Sequence, residues 1–165
     1  MSYKQTLQYP SPTRGVRVEG DDWWELLRAY ALVLPGLTAF SHVTAASILG
    51  LPLPKEHQQA RTLHVTTDID GRAGQREGLK WHHRRLDAAQ VIARSGVLIT
   101  RPLRTWRDLA GILTVDELVV VADELLQRRL CTEDELRNTS GLRHARTLSK
   151  AAAHARFGSL SPQET

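Results

Sequence analysis

Two short stretches in the middle of the chain, Thr62-Leu-His-Val-Thr-Thr67 and Gly78-Leu-Lys-Trp-His-His83, decide the fold class. Both are rich in β-branched or aromatic residues, and a polar, glycine-containing segment separates them, so we predict two strands joined as a hairpin. Residues 91–93 and 97–100 follow the same pattern, with Arg94, Ser95 and Gly96 between them. The sequence therefore predicts a small, mostly antiparallel sheet of three to five strands.

Two helices are predicted before this sheet. Asp21 and Asp22 are suited to cap a helix that runs to residue 34, where a Pro-Gly pair ends it. A second helix is predicted from Ser41 to residue 49, with the serine hydroxyl accepting hydrogen bonds from the first exposed amides. Gly50 then stops this helix.

The last third of the chain is predicted to be helical. Pro102 lies near the start of a helix whose buried stripe includes Trp106. Thr114 and Thr132 each precede a glutamate by three residues, which is the capping-box pattern of a helix start. A final helix is predicted from residue 141 to about residue 156. The expected fold class is α/β of the α+β type, a small, mostly antiparallel sheet flanked by helices, with a helical C-terminal third.

Composition is that of a soluble globular protein. The 165 residues are 41% hydrophobic and 24% charged, and the net charge is +4. The single cysteine, Cys131, excludes an internal disulfide and a cysteine-built zinc site, which fits a reducing cytosol. The longest apolar stretch, residues 29–40, is interrupted by Pro35 and Gly36 and is too short to cross a bilayer. We therefore expect a cytoplasmic protein that does not enter a membrane, and its positive charge favours acidic partners.

The motifs of several enzyme classes are absent from the sequence. None of the lysines follows an acidic residue by two positions, as the lysine of a restriction-type nuclease motif would. Gly71, Gly74 and Gly78 lack the spacing of a phosphate-binding loop, and no Gly-x-Ser-x-Gly elbow occurs. The chain as it stands is therefore predicted not to be an enzyme, and no cofactor is predicted.

Histidines are the remaining candidates for a metal site. His82 and His83 are adjacent on a predicted strand, so their side chains point to opposite faces and are poorly placed to hold one ion together. A site built from His42, His64 and one of this pair is geometrically feasible, but nothing in the spacing selects it. Ordinary packing or hydrogen bonding is the preferred interpretation, and no metal site is predicted.

Basic residues give the one positive indication of function. Arg143, Arg146 and Lys150 fall three or four residues apart and would share one face of the predicted last helix, where they could follow a phosphate backbone. A solvated helix surface is the alternative interpretation. In the first helix of the C-terminal third, Arg104 is expected to form a surface ion pair with Asp108, four residues later. That helix carries a second, less regular group of candidate nucleic-acid contacts: Arg101, Arg104 and Arg107.

Three segments of the chain carry a family resemblance: Ala39-Phe-Ser-His-Val-Thr-Ala-Ala-Ser-Ile-Leu-Gly-Leu-Pro-Leu-Pro54, Leu63-His-Val-Thr66 and Ile99-Thr-Arg-Pro-Leu-Arg-Thr-Trp-Arg-Asp-Leu-Ala110. In this order they are similar to segments of actinobacterial proteins related to AbiEi-type antitoxins of type IV toxin–antitoxin systems. Many members of that family continue into a Vsr-like endonuclease domain with the restriction-endonuclease fold. The resemblance covers roughly residues 13–165.

The sequence departs from that family at both ends. Relatives commonly begin with a winged helix–turn–helix, whose recognition helix would enter the major groove, whereas here only Thr13-Arg-Gly-Val-Arg-Val18 resembles its closing strand. In nuclease-bearing relatives, a segment similar to Gly158-Ser-Leu-Ser-Pro-Gln-Glu-Thr165 opens the catalytic domain. The resemblance implies an extended arm with a winged-helix remnant at residues 1–20, an α/β domain at residues 21–157, and a linker at residues 158–165 into an absent nuclease domain.

Three functions follow as hypotheses. The first is a non-catalytic nucleic-acid-binding or regulatory module resembling AbiEi-like antitoxins, with DNA, a toxin or a nuclease subunit as partner. The second is the N-terminal portion of a Vsr-like DNA endonuclease that lacks its catalytic domain. The third is a protein-binding scaffold, in which Trp23, Trp24 or Trp81 would be exposed to anchor an interface.

Overall fold

A computed structural model describes residues 22–58, 60–70 and 76–156. The predicted arm at residues 1–20 and the predicted linker at 158–165 lie outside these residues. Within the described residues, no helix is both long enough and apolar enough to cross a membrane. The helices and strands are, in chain order, α1 (Trp23–Ala31), β1 (Thr38–Phe40), α2 (His42–Leu49), β2 (Leu63–Thr67), β3 (Leu79–His83), β4 (Val91–Arg94), β5 (Val97–Thr100), α3 (Pro102–Leu109), α4 (Val115–Gln127), α5 (Glu133–Arg137) and α6 (Ala145–His154).

The strands form one mixed sheet in the order β3-β2-β1-β5-β4, with helices flanking it. The α+β class is confirmed, but the sheet is not mostly antiparallel. The β1–β2 and β4–β5 pairs are antiparallel, whereas the β1–β5 and β2–β3 pairs are parallel. The predicted hairpin between β4 and β5 is confirmed, with Ser95 and Gly96 both at positive φ in its turn.

The predicted hairpin between β2 and β3 is wrong, because these two strands run parallel in a register that pairs Leu63 with Leu79 and Thr67 with His83. β3 therefore begins beside the start of β2 and not beside its end. Two to five residues are enough to connect a tight hairpin, whereas 11 residues separate Thr67 from Leu79, and parallel strands need a longer connection of this kind. Alternation of side chains predicts that a strand exists, but it carries no information about strand direction.

The central strand β1 was not predicted from the sequence. It has three residues, Thr38 to Phe40, all of them buried, and it lies between a Pro-Gly pair and the start of α2. A strand this short shows little periodicity. It nevertheless pairs with β2 on one side and β5 on the other, and the amide of Ser41 extends the first pairing by donating to the carbonyl of His64 at 2.9 Å.

The two helices before β2 form close to their predicted positions. Asp22 caps α1, with its carboxylate accepting from the amide of Trp24 at 2.9 Å, but this helix ends at Ala31, three residues before the predicted end. Gly50 ends α2 in the left-handed conformation, as predicted. The predicted capping role of the Ser41 hydroxyl is wrong, because it makes no hydrogen bond to the helix amides and bonds to neighbouring side chains instead.

The C-terminal third is helical, as predicted. Pro102 is the first residue of α3, and Trp106 is fully buried with its indole nitrogen donating to the carbonyl of Leu118 at 3.0 Å. Both capping boxes form at the starts of α4 and α5. The last helix, α6, begins at Ala145 and not at residue 141, because His144 adopts a left-handed φ of 58° immediately before it.

The two faces of the sheet differ in chemistry. Side chains alternate along each strand, so Phe40, Leu63 and Val65 lie on one face, where they are buried in the main hydrophobic core with residues from the helices. His64 and Thr66 lie on the opposite face, and the parallel register places Lys80 and His82 of β3 beside them on that same face. The second face therefore gathers polar and titratable side chains.

A glycine before β3 offers a test of the packing between α1 and the sheet. Gly78 has a φ of 82°, and an added Cβ would lie 2.5 Å from the hydroxyl oxygen of Tyr30. That hydroxyl donates to the carbonyl of Glu77 at 2.7 Å, which limits its movement. We expect Gly78→Ala to lower the free energy of unfolding by roughly 2–4 kcal/mol, from backbone strain and steric overlap together, in a urea unfolding titration.

The matched control for that substitution is Gly50→Ala. Gly50 also has a positive φ, 65°, but nothing lies within 4 Å of the added Cβ. Backbone strain alone should cost about 1–2 kcal/mol there. Equal losses in the two variants would contradict the proposed overlap with Tyr30.

Candidate functional site

A basic cleft of about 600 Å³ opens between the end of β3, helix α3 and the loop that precedes α6. Among the described residues that line it, Asp108 alone carries a carboxylate. Three histidines also line the cleft: His42, His82 and His144. Its lysines and arginines, which make the cleft strongly positive, are Lys80, Arg84, Arg85, Arg104, Arg107 and Arg143.

The one carboxylate in the cleft is already paired. The Nε atom of Arg104 donates to Oδ1 of Asp108 at 2.9 Å, and its Nη1 atom donates to Oε1 of Gln90 at 2.7 Å and to the carbonyl of Arg85 at 3.1 Å. The two charged side chains are only 13% and 10% exposed. The predicted surface ion pair is thus a largely buried one, because Arg104 also bonds to Gln90 and to the carbonyl of Arg85 and both charged side chains are packed in the wall of the cleft.

Burial raises the pKa of Asp108, and the neighbouring Arg104 opposes that shift. The second carboxylate oxygen, Oδ2, is buried and accepts no hydrogen bond from any described residue. Arg104 therefore favours the charged form of the carboxylate against the effect of burial and orients it, while leaving one oxygen without a donor among the described residues.

The other two arginines of the predicted α3 group also donate to backbone carbonyls. Arg101 occupies the N-cap position of α3 without a side-chain capping bond, and its Nε atom donates to the carbonyl of Ala89 at 2.7 Å. Nη2 of Arg107 reaches the carbonyls of Glu135 and Asn138, both at 3.2 Å, which ties α3 to α5. Burial lowers the pKa of Arg107. Arg104 and Arg107 line the cleft, whereas Arg101 does not.

The predicted basic stripe on the last helix is divided by the structure. Arg143 precedes the helix and lines the cleft, so it does not share a helical face with Arg146 and Lys150. Those two residues lie four apart on α6, are exposed, and do not line the cleft. The prediction that all three form one helical stripe is wrong, because the left-handed turn at His144 delays the start of the helix.

Three basic residues of the cleft, Lys80, Arg84 and Arg85, are not among the nucleic-acid contacts predicted from the sequence. Lys80 and His82 share one face of β3 because side chains on a strand alternate, and Arg84 continues the same two-residue period beyond the strand. The alternation of basic or titratable residues at Lys80, His82 and Arg84 is the feature of the sequence from which this wall of the cleft could have been predicted.

A cluster of three histidines, His42, His64 and His82, adjoins the cleft. One ring nitrogen from each lies within 4.8 Å of the other two. Nε2 of His82 and Nδ1 of His64 are hydrogen bonded at 3.1 Å, and the rings of His42 and His82 stack with their centroids 3.7 Å apart. His42 and His64 are each 8% exposed. The structure thus selects His82, and not His83, as the third member of the group considered from the sequence.

Local chain geometry brings His42 to this position. Strand β1 leads into α2 at Ser41, and His42 takes a left-handed φ of 50° at the first residue of the helix. Residues other than glycine rarely adopt a positive φ, and they do so where surrounding contacts enforce it. Here the Ser41 hydroxyl bonds to Nδ1 of His42 at 2.9 Å and accepts from the Thr66 hydroxyl at 2.8 Å.

The rings of the cluster are neutral near neutral pH. Burial, with smaller contributions from His82 and His64, lowers the pKa of His42 to about 2. Burial also lowers the pKa of His64 to about 4, with Lys80 as the next cause, and that of His82 to about 4, with His64 as the next cause. Neutral imidazoles expose nitrogen lone pairs, so the cluster can accept protons from hydrogen-bond donors or coordinate a metal ion.

The neutral cluster predicts a pH dependence of stability. Because the folded-state pKa values lie below the unfolded value of about 6.5, the unfolded chain takes up protons first as the pH falls. The contribution of the rings is complete above about pH 6.5 and is lost as the pH falls, through 4 for His64 and His82 and toward 2 for His42. In a chelator-containing buffer, each ring should lower the free energy of unfolding by up to about 1.4 kcal/mol per pH unit in that window.

The control compares two substitutions on adjacent residues of β3. His82→Gln should reduce the slope of stability against pH by the contribution of about one ring, since burial, and after it His64 and Lys80, oppose a charge on His82. His83→Gln, on the opposite face and exposed, should leave the slope unchanged. Equal slopes in both variants and the parent chain would show that the cluster does not control acid stability.

The buried ion pair of α3 predicts a second difference. Arg104→Met leaves Asp108 in a largely buried site without its donor, and should lower the free energy of unfolding by about 3–5 kcal/mol in a denaturant titration. Arg137 and Glu133 form a pair of the same spacing on α5, but their side chains are 55% and 47% exposed. Arg137→Met should therefore cost less than about 1 kcal/mol, and a similar loss in both would contradict the structural role of Arg104.

Comparison with protein-family models, with curated proteins and with solved structures finds no match to this chain.

Proposed function

We propose that this chain is a non-catalytic module that binds nucleic acid, with the phosphate backbone held along the basic cleft. The observation that carries the proposal is the local charge. The whole chain has 22 lysines and arginines against 18 aspartates and glutamates, whereas the cleft is lined by six and one. Because Arg104 already pairs with that one carboxylate, the remaining positive charge is available to an anionic ligand.

Five of the six cations of the cleft divide into two groups with different roles, while the sixth, Arg84, is only partly exposed and donates to the carbonyl of His83 at 2.7 Å. Arg104 and Arg107 donate hydrogen bonds to Gln90 and to backbone carbonyls, so their first role is to fix the wall of the cleft. Lys80, Arg85 and Arg143 are exposed and form no ion pair with any described residue. These three side chains are the ones we propose as direct phosphate contacts.

An extended polyanion fits this charge distribution better than a single small anion. Arg143 lies where the cleft meets α6, and Arg146 and Lys150 continue the exposed positive charge along that helix. Four helical residues advance about 6 Å, so these charges extend well beyond the reach of one phosphate group. Nucleic acid offers phosphates at successive positions along such a track.

The scaffold hypothesis lacks the feature that it requires. Trp23, Trp24 and Trp81 are partly buried against the main core, and Trp106 is fully buried. None of the four tryptophans of the chain is therefore an exposed anchor for an interface. The resemblance to AbiEi-like antitoxins agrees with a DNA-binding role, and regulation within a toxin–antitoxin pair remains part of the proposal.

The test is a salt titration of binding to a labelled DNA duplex and to the matching single strand, with and without magnesium. Affinity should fall steeply between about 50 and 200 mM salt, because each neutralised phosphate releases counterions. The DNA should stay intact in magnesium. Magnesium-dependent cleavage would overturn the non-catalytic proposal in favour of the nuclease alternative, and no binding at low salt would overturn the proposal of a nucleic-acid partner.

Paired substitutions locate the binding surface. The double variant Lys80→Gln with Arg143→Gln should weaken binding at least tenfold and reduce the slope of log affinity against log salt by about 2. The matched control, Lys55→Gln with Arg61→Gln, removes the same charge from exposed residues outside the cleft and should leave the slope nearly unchanged.

A third double variant separates the cleft from the helix that continues its charge. Arg146→Gln with Lys150→Gln removes exposed positive charge from α6 alone. We expect a smaller loss of affinity than in the cleft variant. A larger loss of affinity in this variant than in the cleft variant would place the main phosphate contacts on the face of α6 and not in the cleft.

A further inference from the structure

Three imidazole rings from three separate elements meet on the polar face of the sheet. His42 comes from the start of α2, His64 from β2 and His82 from β3. We propose that these histidines bind one divalent transition-metal ion of the zinc type, with an open coordination position toward the basic cleft. This site is independent of the proposed nucleic-acid binding, because its ligands and its test do not involve DNA.

The nitrogen spacing is close to what a metal requires. Zn–N bonds of about 2.0–2.1 Å at tetrahedral angles place two ligand nitrogens about 3.3 Å apart. Nδ1 of His64 and Nε2 of His82 are already 3.1 Å apart, and the widest pair among the three ligand atoms lies within 4.8 Å. Closing that widest separation needs a movement of roughly 1.5 Å, which small ring rotations of two side chains can provide.

The surroundings of His42 resemble the outer support of a metal ligand. Ser41 Oγ contacts Nδ1 of His42 at 2.9 Å and is itself held by Thr66 at 2.8 Å. When Nδ1 carries the proton and donates it to this oxygen, the lone pair on Nε2 is free for a metal. The left-handed φ at His42 shows that the backbone holds the ring at this place against its ordinary preference.

The ligand set favours a transition metal over magnesium or calcium. Imidazole nitrogen suits zinc, copper, nickel and iron, whereas magnesium and calcium prefer several oxygen ligands. Three protein ligands also leave a tetrahedral ion with one open position. Since His42 and His82 both line the cleft, that position opens to it, and the surrounding arginines favour an anionic oxygen there.

The competing explanation is a hydrogen-bonded histidine cluster without a metal. Contacts among the described residues engage one nitrogen of each ring: Nδ1 of His42, Nδ1 of His64 and Nε2 of His82. A metal would replace the bond between His64 and His82 with two bonds to one ion. The two explanations therefore differ in the protonation of the nitrogens that face each other, which can be measured directly.

The experiment uses the full chain without a polyhistidine tag, stripped with a chelator and titrated with Zn²⁺ or Co²⁺. We expect one ion per chain with a dissociation constant at or below about 1 μM, visible absorption bands of four-coordinate Co²⁺, and a rise in melting temperature with free metal. His82→Gln should weaken the affinity roughly 100-fold or more, and Ser41→Ala roughly 10-fold. The matched control, His83→Gln, should bind as the parent chain does.

Two outcomes would overturn the proposal: no stoichiometric binding at about 100 μM metal, or unchanged binding in a folded His82→Gln variant. The second measurement does not depend on any variant folding. It is nitrogen-15 NMR of the histidine rings in the parent chain. At one equivalent of Zn²⁺, the resonances of the ligating nitrogens of His64 and His82 should shift together. If both rings keep the spectrum of a hydrogen-bonded pair at saturating metal, the cluster is structural and the proposal fails.

Discussion

The rest of the structure depends on the pairing of one three-residue strand. β1 joins the β2–β3 half of the sheet to the β5–β4 half, antiparallel on one side and parallel on the other. Its backbone continues into Ser41, whose amide still bonds to the carbonyl of His64 while its hydroxyl bonds to His42 and Thr66. The junction of β1 and α2 therefore joins the two halves of the sheet, begins α2 and places His42 beside the histidines of β2 and β3.

Arginine serves two purposes in this fold. Arg104 and Arg107 donate to a buried carboxylate, a glutamine and backbone carbonyls, and so tie α3 to the loop before β4 and to α5. Planar guanidinium groups suit this work because several donors point in fixed directions. The exposed cations around them, such as Lys80 and Arg143, form no ion pair with any described residue and give the cleft its positive charge. Arg104 and Arg107 thus hold the wall of the cleft in place, and the exposed cations project from that wall.

The histidine cluster and the basic cleft belong to one region but to different environments. His64 and His42 are nearly buried, and desolvation keeps their rings neutral, while the cleft beside them is open to solvent and strongly charged. His82 takes part in both, because its ring bonds to His64 and also lines the cleft. A ligand in the cleft would therefore lie beside neutral nitrogens as well as fixed positive charges, a combination that suits anionic oxygen.

Local signals in the sequence determined the starts of most helices and the position of four strands. Asp22, Gly50 and the capping boxes at Thr114 and Thr132 act within one helical turn, so their effects can be predicted without a fold. Tertiary structure alone decided strand direction, the central place of β1 and the meeting of the three histidines, 22 and 18 residues apart along the chain. Those features depend on which backbone groups pair across the sheet, and hydrophobic periodicity within a segment does not encode that choice.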